Sequence, residues 1–291
     1  MDDIPQSSTV STIRVGADFE IYRIDHPRCQ ALIARQGAQV LEWTTSTGDP
    51  ILYRSSLAAL ERGRPVRAGV PICWPWFANH PTDSSLPLHG FVRTLDWSLD
   101  SVRESEPGVA MTFIFESTPE TMELWPHRFR LEARIELGAE LTVGLRAINT
   151  GTRPFMMGGA LHTYLAVGDL ADVHIEGLEG FDHLDKTTGM CVAASYDALR
   201  FFGEEIDRIY DTPGPVSVID RSRGQKTLVE NRGNTATVIW NPGRLNADQI
   251  DDIGTGEADH FIAVEPAIPG GHEVEVSPGS YHVLLTRISL A

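Results

Sequence analysis

The feature that most constrains this chain is a period of two. FEIYRID (19–25), AQVLEWT (38–44), VAMTFIFE (109–116), FRLEARIEL (129–137), ELTVGLRAIN (140–149), TATVIWN (235–241) and SYHVLLTRI (280–288) alternate apolar with polar residues and are rich in β-branched and aromatic types. Side chains of a strand point to opposite faces in turn, so each segment reads as a strand with one face in a core. Clusters such as NTGTRP (149–154) and DTPGP (211–215) separate them; glycine reaches positive φ and proline presets its own, which favours turns. The helical candidates are short, at 121–125 and 247–253. No long segment carries the 3.6-residue period that strand–helix–strand crossovers need, which argues against a Rossmann fold or a (β/α)8 barrel. The expectation is an all-β chain of antiparallel sheets with few short helices, closed either as a barrel or as stacked sheets. With no low-complexity linker and no repeat of fixed period, one domain over 1–291 is expected.

Composition narrows the partners. At 291 residues the chain is long enough for a large core, and its 42% hydrophobic and 22% charged residues are those of a globular protein. Forty acidic against 24 basic residues give a formal charge of -16, which repels nucleic acid and anionic membranes. The first residues, MDDIPQSSTVSTIRV, lack the basic head and apolar run of a secretory signal, and no stretch approaches the roughly 18 apolar residues of a membrane span. A cytosolic monomer is expected. Cys29, Cys73 and Cys191 lie far apart with no CxxC spacing, so they read as small buried hydrophobes.

RAGVPICWPWFANHPTDSSLPLHGFVR (67–93) breaks the alternation. Its prolines cannot serve in a central ladder, so most of it must run as a loop over the sheets, and loops of this length in compact domains usually bind something. Aromatic faces between Arg67 and Arg93 suit a ligand with an apolar sugar face and an anionic group, because a guanidinium donates two parallel hydrogen bonds to phosphate or carboxylate. A proline-rich cover over one sheet, its arginines merely bridging surface carboxylates, fits the composition equally well.

Two further segments bear titratable groups. In ALHTYLAV, Leu161, Thr163 and Leu165 fall on one face and His162 and Tyr164 on the other. If the first set enters the core, His162 and Tyr164 project together; the diglycine before them permits close approach, and an imidazole titrates near neutrality. Glu265, in FIAVEPA, follows an apolar run and precedes a proline, so it is expected at a strand end. Asp207 sits in GEEIDRIY, where an acidic surface run is the plain reading.

Other chemistries lack their signatures. GHEVEVSPGSYHVLL (271–285) has the spacing of half a cupin motif, with His272 and His282, yet no HxH segment completes a metal site. Phosphate-binding GxxxxGK[ST] loops, GxGxxG fingerprints and GxSxG elbows are missing from the sequence. Neither a metal nor an organic cofactor is expected.

Together, RAGVPICWPWF, LPLHGFVR, ALHTYLAVGD, the aspartate of GEEIDRIY, the Trp-Asn-Pro of VIWNPG, and AVEPA resemble the glucose-6-phosphate 1-epimerases, or hexose-6-phosphate mutarotases, of the aldose 1-epimerase superfamily. The six pieces follow the family's order and run from Arg67 to Ala267. The resemblance implies a galactose mutarotase-like supersandwich, a large antiparallel β-sandwich whose concave face holds the sugar. It implies His162 as general acid and Glu265 as general base. It also implies Arg67 and Arg93 as ligands of the substrate and its phosphate, Asp207 as a binder of sugar hydroxyls, and His89 as a binding or positioning residue. Where many relatives carry a glutamine this chain has Trp76, a departure that removes a hydrogen bond while leaving the position among the substrate-binding ones.

The expected reaction exchanges the α and β anomers of a hexose 6-phosphate, glucose 6-phosphate foremost, through the open aldehyde. At unperturbed values near 4.3 and 6.5, Glu265 would be ionised and His162 partly protonated at neutrality, and two proton carriers suffice. Three alternatives carry different signatures. A carbohydrate-binding module would stack sugar on Trp74 and Trp76 without chemistry. A glycoside hydrolase would use two carboxylates, Glu265 and Asp207. An aldose 1-epimerase acting on free sugars would make no use of a phosphate.

Overall fold

In the computed structural model, which describes residues 9–291, antiparallel strands dominate and the two α-helices are Pro119–Leu124 and Gly243–Ala247. A nine-stranded sheet runs through Leu199–Arg200, Val173–Glu176, Val216–Asp220, Gln225–Arg232, Tyr281–Leu290, Leu141–Asn149, Phe129–Gly138, Gly108–Glu116 and Ser98–Ser105. An eight-stranded sheet runs through Met190–Val192, His183–Asp185, Ile206–Tyr210, Ala236–Asn241, Phe261–Ile268, Gly159–Leu161 and Ile72–Cys73, with Tyr164–Ala166 also paired to Phe261–Ile268. Four N-terminal strands, Val10–Val15, Phe19–His26, Cys29–Ala34 and Gln39–Thr45, form a meander. The sheets are stacked rather than closed into a barrel. Each alternating segment of the sequence forms a strand within one or two residues of its expected bounds.

Alternation divides every strand between two environments. Val143 and Leu145 of the larger sheet and Ile239, Ile262 and Val264 of the smaller one share a single core cluster. The intervening residues of Phe261–Ile268 turn the other way: Phe261 and Ala263 join Tyr53 and Tyr164, and Ala267 joins Cys73, Ala160 and Val238. That outward face is itself covered by loops, so the whole strand is buried although only half of it belongs to the central core.

Residues of the proline-rich stretch divide between two environments, interleaved along the chain. Trp74 is fully buried, its ring 4.6–6.4 Å from those of Phe129, Trp125, Phe91 and Phe155. Gly90 has φ +73°, and a Cβ there would stand 1.9 Å from the Trp74 carbonyl oxygen, so only glycine lets the two arms of the loop meet. These residues form the packed cover, whereas Arg67, Phe77, Ala78, Asn79, His89 and Arg93 border a cleft.

Three expectations fail in instructive ways. The second helix ends at Ala247, and 247–253 continues as successive i to i+3 turns. Asp252, at the end of those turns, is drawn to Arg67, and Asp248, Asp251 and Asp252 are weak helix formers. Glu265 is not at a strand end, because the strand runs on through Pro266 to Ile268. Cys29 and Cys73 are buried, but Cys191, on an edge strand, is exposed.

Candidate active site

The ladder around Phe261–Ile268 brings the two titratable residues together. Ala160 pairs with Ala267 and Tyr164 with Ala263. Both pairings keep one register across the interruption at 162–163, which places His162 opposite Glu265. In this register the N–H of residue 266 would donate to the Leu161 carbonyl, but that residue is proline and has no N–H. The Leu161 oxygen accepts instead from Thr163, from its N–H at 2.8 Å and its hydroxyl at 3.2 Å. Pro266 thus opens the ladder beside the pair, while His162 N–H donates to the Pro71 carbonyl and Val264 N–H to the Thr163 carbonyl, at 2.9 Å each. Gly159 completes the approach, since a Cβ there would lie 2.7 Å from the Cys73 carbonyl oxygen.

The result is a contact of 3.4 Å between His162 Nε2 and Glu265 Oε1, at residues 8% and 1% exposed. His162 Nδ1 and Glu265 Oε2 are buried without protein partners. A charge so placed loses its water and gains little in return. Burial therefore lowers the proton affinity of His162 well below its usual range, with the nearby charges of His89, Arg67 and Arg93 adding to the effect. Burial raises that of Glu265 well above the carboxylate range, reinforced by Asp207 and opposed by Lys186 and Arg93. This corrects the state drawn from unperturbed values: burial favours the uncharged form of each group, the neutral imidazole and the protonated carboxyl. The pair still holds one proton, as it would with the proton on the imidazole.

These groups lie in a cleft of about 460 Å³, whose wall also includes Arg67, Arg93, His89, Lys186, Asp207 and Trp240. Arg67 is held by Asp252, with Nε to Oδ1 at 2.7 Å, and donates through Nη1 to the Tyr164 hydroxyl at 2.9 Å. Its guanidinium lies 5.6 Å from the Trp240 ring centre, a cation–π distance. The Tyr164 ring stacks on His162, centroids 4.6 Å apart and 20° from parallel. Arg93 differs: Nη2 donates to the Leu88 carbonyl at 2.9 Å, and its buried Nε has no protein partner. Among the described residues no carboxylate lies in ion-pair range of Arg93, so its charge is left for the cleft. Asp207 is bonded to Lys186 Nζ at 2.9 Å.

His89 occupies the left-handed region at φ +64°, an unfavourable place for a residue with a Cβ. Two bonds to Ala78 hold it there: His89 N–H to the Ala78 carbonyl at 2.8 Å and Ala78 N–H to His89 Nδ1 at 3.2 Å. Because Nδ1 accepts, the proton of the neutral ring sits on Nε2. Burial, then Arg93, Lys186 and Arg67, hold its pKa down at about 3, so the ring is neutral throughout the physiological range.

The geometry gathers His162, Glu265, Arg67, Arg93, Asp207 and His89, but not Trp76. The Trp76 indole N–H is bonded to the Pro87 carbonyl at 2.9 Å, and its ring packs on His80 and Phe91 in a neighbouring cleft. Loop packing claims this side chain and sets it apart from the His162–Glu265 cleft, and Trp74 is buried as well, so neither indole offers that cleft a stacking face. Lys186 and Asp252 had no motif to mark them. Trp240 stood in a recognised motif without an assigned task.

The comparisons with other proteins now bear on this arrangement. A sequence profile of the family described as aldose 1-epimerase matches residues 20–289. The chain belongs to the aldose 1-epimerase family. As a member of it, the protein is an isomerase that acts on a small-molecule sugar. A protein of Escherichia coli (strain K12), provisionally named glucose-6-phosphate 1-epimerase, is 34% identical over 265 residues, which are 91% of this chain and 88% of that one. One from Cenchrus ciliaris with the same provisional name is 32% identical over 249 residues, 82% of this chain and 75% of that one. A crystal structure from Salmonella typhimurium, provisionally described as a mutarotase, superposes with a TM-score of 0.92 at 29% identity, over 99% of this chain and 95% of that one. A galactose mutarotase-like protein of Clostridium acetobutylicum, at 13% identity and TM-score 0.71 over 97% and 98% of the two chains, shares the fold.

Proposed function

We propose that this cleft interconverts the α and β anomers of a hexose 6-phosphate, glucose 6-phosphate foremost, with His162 and Glu265 as the two proton carriers. The observation that carries the reading is their 3.4 Å juxtaposition on the floor of a cleft that also receives the unpaired charge of Arg93. The provisional names of the relatives support the phosphosugar.

Ring opening needs the C1 hydroxyl proton removed and the ring oxygen protonated as the C1–O5 bond breaks. With the proton on His162, Glu265 takes the hydroxyl proton while His162 supplies the ring oxygen. Opening leaves Glu265 protonated and His162 neutral, which is the state burial favours, so the low dielectric stabilises the protein's side of the open-chain intermediate. After rotation about the C1–C2 bond the other carbonyl face meets O5. Closure reverses both transfers and restores the starting state, so no outside proton enters the cycle. Each positioned transfer is typically worth ~10² to 10⁴ in rate.

His89 presents Nε2–H as a hydrogen-bond donor and takes no part in proton exchange. Asp207 accepts from a sugar hydroxyl while Lys186 holds it, and Trp240 offers an apolar ring face. Arg93 takes the phosphate; Arg67, fixed by Asp252 and Tyr164, holds the sugar and adds to the positive field. The domain acts as one unit and as a monomer.

The test is anomer-exchange NMR on glucose 6-phosphate, glucose and galactose. Glu265→Gln is expected to reduce exchange of every sugar turned over, and Arg93→Ala to raise KM for the phosphosugar far more than for free glucose. Equal losses on both sugars would reject the phosphate assignment, and undiminished exchange in Glu265→Gln would reject the chemistry.

A further inference from the structure

A second cleft, of about 510 Å³, lies behind the first. Along Ile206–Tyr210 the side chains alternate: Asp207 faces the His162–Glu265 cleft, whereas Arg208 and Tyr210 face the second one. The adjacent strand His183–Asp185 contributes His183, which is paired in register with Tyr210. The far wall comes from 195–204, including Arg200 and Phe202.

Several polar atoms of this cleft are left without a hydrogen bond. His183 is only 8% exposed and stacks on Tyr210 at 4.7 Å, yet neither of its ring nitrogens has a hydrogen-bond partner. Leaving such groups unmet destabilises a fold, and most buried polar atoms are satisfied. The Arg208 side chain meets the Tyr210 hydroxyl, but its Nε is buried without a hydrogen bond; Asp185 Oδ2 lies 3.5 Å away, near enough to attract it but beyond good bonding geometry. Arg200 enters no ion pair among the described residues, and Phe202 stands 79% exposed at the rim. Burial, and then Arg208, lower the proton affinity of His183, so its ring is neutral and offers one N–H donor and one bare nitrogen.

We propose that this cleft is a second ligand site, for a small phosphate- or carboxylate-bearing molecule with a flat apolar face. Arg200 and Arg208 receive the anion, since guanidinium donors match its oxygens. His183 donates to it or accepts from a neighbouring hydroxyl, and Phe202 with Leu178 covers the apolar face. Asp197 and Glu204 also line the cleft and favour a ligand of low negative charge. The two clefts share one two-stranded ladder: Asp185 and Arg208 lie on its rear face, while the next residue, Lys186, bonds Asp207 on its front face.

Phenyl phosphate combines the two chemistries and serves as the probe, with inorganic phosphate beside it. The ring nitrogens of His183 are followed by NMR during titration of the full chain. A saturable shift is expected with phenyl phosphate, weaker with inorganic phosphate, with binding reduced roughly tenfold in Arg200→Gln and in Phe202→Ser. Both changes are at exposed side chains, so folding is preserved. The same shift should persist in Arg93→Ala, which weakens anion binding in the first cleft only. No saturable shift up to about 10 mM, a regime of binding energies near 3 kcal/mol, would overturn the proposal. So would a shift lost in Arg93→Ala yet indifferent to Arg200→Gln and Phe202→Ser.

Discussion

The rings of His162 and Tyr164 lie stacked, 4.6 Å apart, and the Tyr164 hydroxyl accepts a hydrogen bond from Arg67, which is itself fixed by Asp252. A line of contacts therefore runs from an aspartate on the 248–256 loop to the imidazole plane. Its members are spread across the chain, and each limits the freedom of the next.

Breaking that line at its far end should separate binding from chemistry. Asp252→Asn removes the charge from Arg67's partner and weakens its hold on Nε, which loosens Tyr164 without touching the pair. The expected result is a several-fold higher KM for glucose 6-phosphate with kcat changed less, and Tyr164→Phe, which keeps the stack, should behave similarly. Steady-state rates from polarimetry check both.

The proton carriers should act as a unit. His162→Asn and Glu265→Gln are each expected to lower kcat by roughly 10²–10⁴, and the double variant to fall little below the worse single one, because either loss already prevents coupled transfer. Exchange spectroscopy on the two anomeric signals gives the rates directly.

The pH profile follows from the directions of the shifts. Adding a proton to the pair requires charging His162, whose affinity is lowered; removing its proton requires ionising Glu265, whose affinity is raised. Both limits move outward, so the one-proton state widens around neutrality. The profile of kcat/KM for free glucose, whose own charge is constant there, should be flat with no step near 6.5. A bell with its acid limb at that value would contradict the shifts.

Stability should show the same burial with an opposite cost at each end. Glu265 has a folded pKa above its unfolded one, so its contribution is complete below about pH 4.5 and is lost as pH rises toward the folded value. Glu265→Gln removes that loss. Its melting temperature relative to the unaltered protein should therefore climb as pH rises above about 4.5, measurable by calorimetry.

Much of this architecture was legible because alternation is written residue by residue. The strands around 129–149 and 281–288 have one face in the common core, and the pattern states which. Phe261–Ile268 is harder to read: loops bury its second face, so alternation vanishes, and Pro266, which ordinarily ends a central strand, lies within it. The paired glutamate and histidine were found through motifs, but their contact depends on a register across some hundred residues. Lys186 and Asp252 belong to exposed hairpin and turn segments whose sequence looks like ordinary solvated charge. Trp76 shows the converse: an aromatic in a binding loop whose hydrogen bond to Pro87 commits it to holding the loop together.

Because Glu265 sits mid-strand, with Val238 on one side and His162 on the other, its main chain is anchored on both flanks. The carboxyl can pivot but cannot retreat. Reorientation during turnover then falls to the sugar, whose freed aldehyde end rotates within a stationary frame, and the enzyme resembles a fixed jig more than a closing hand.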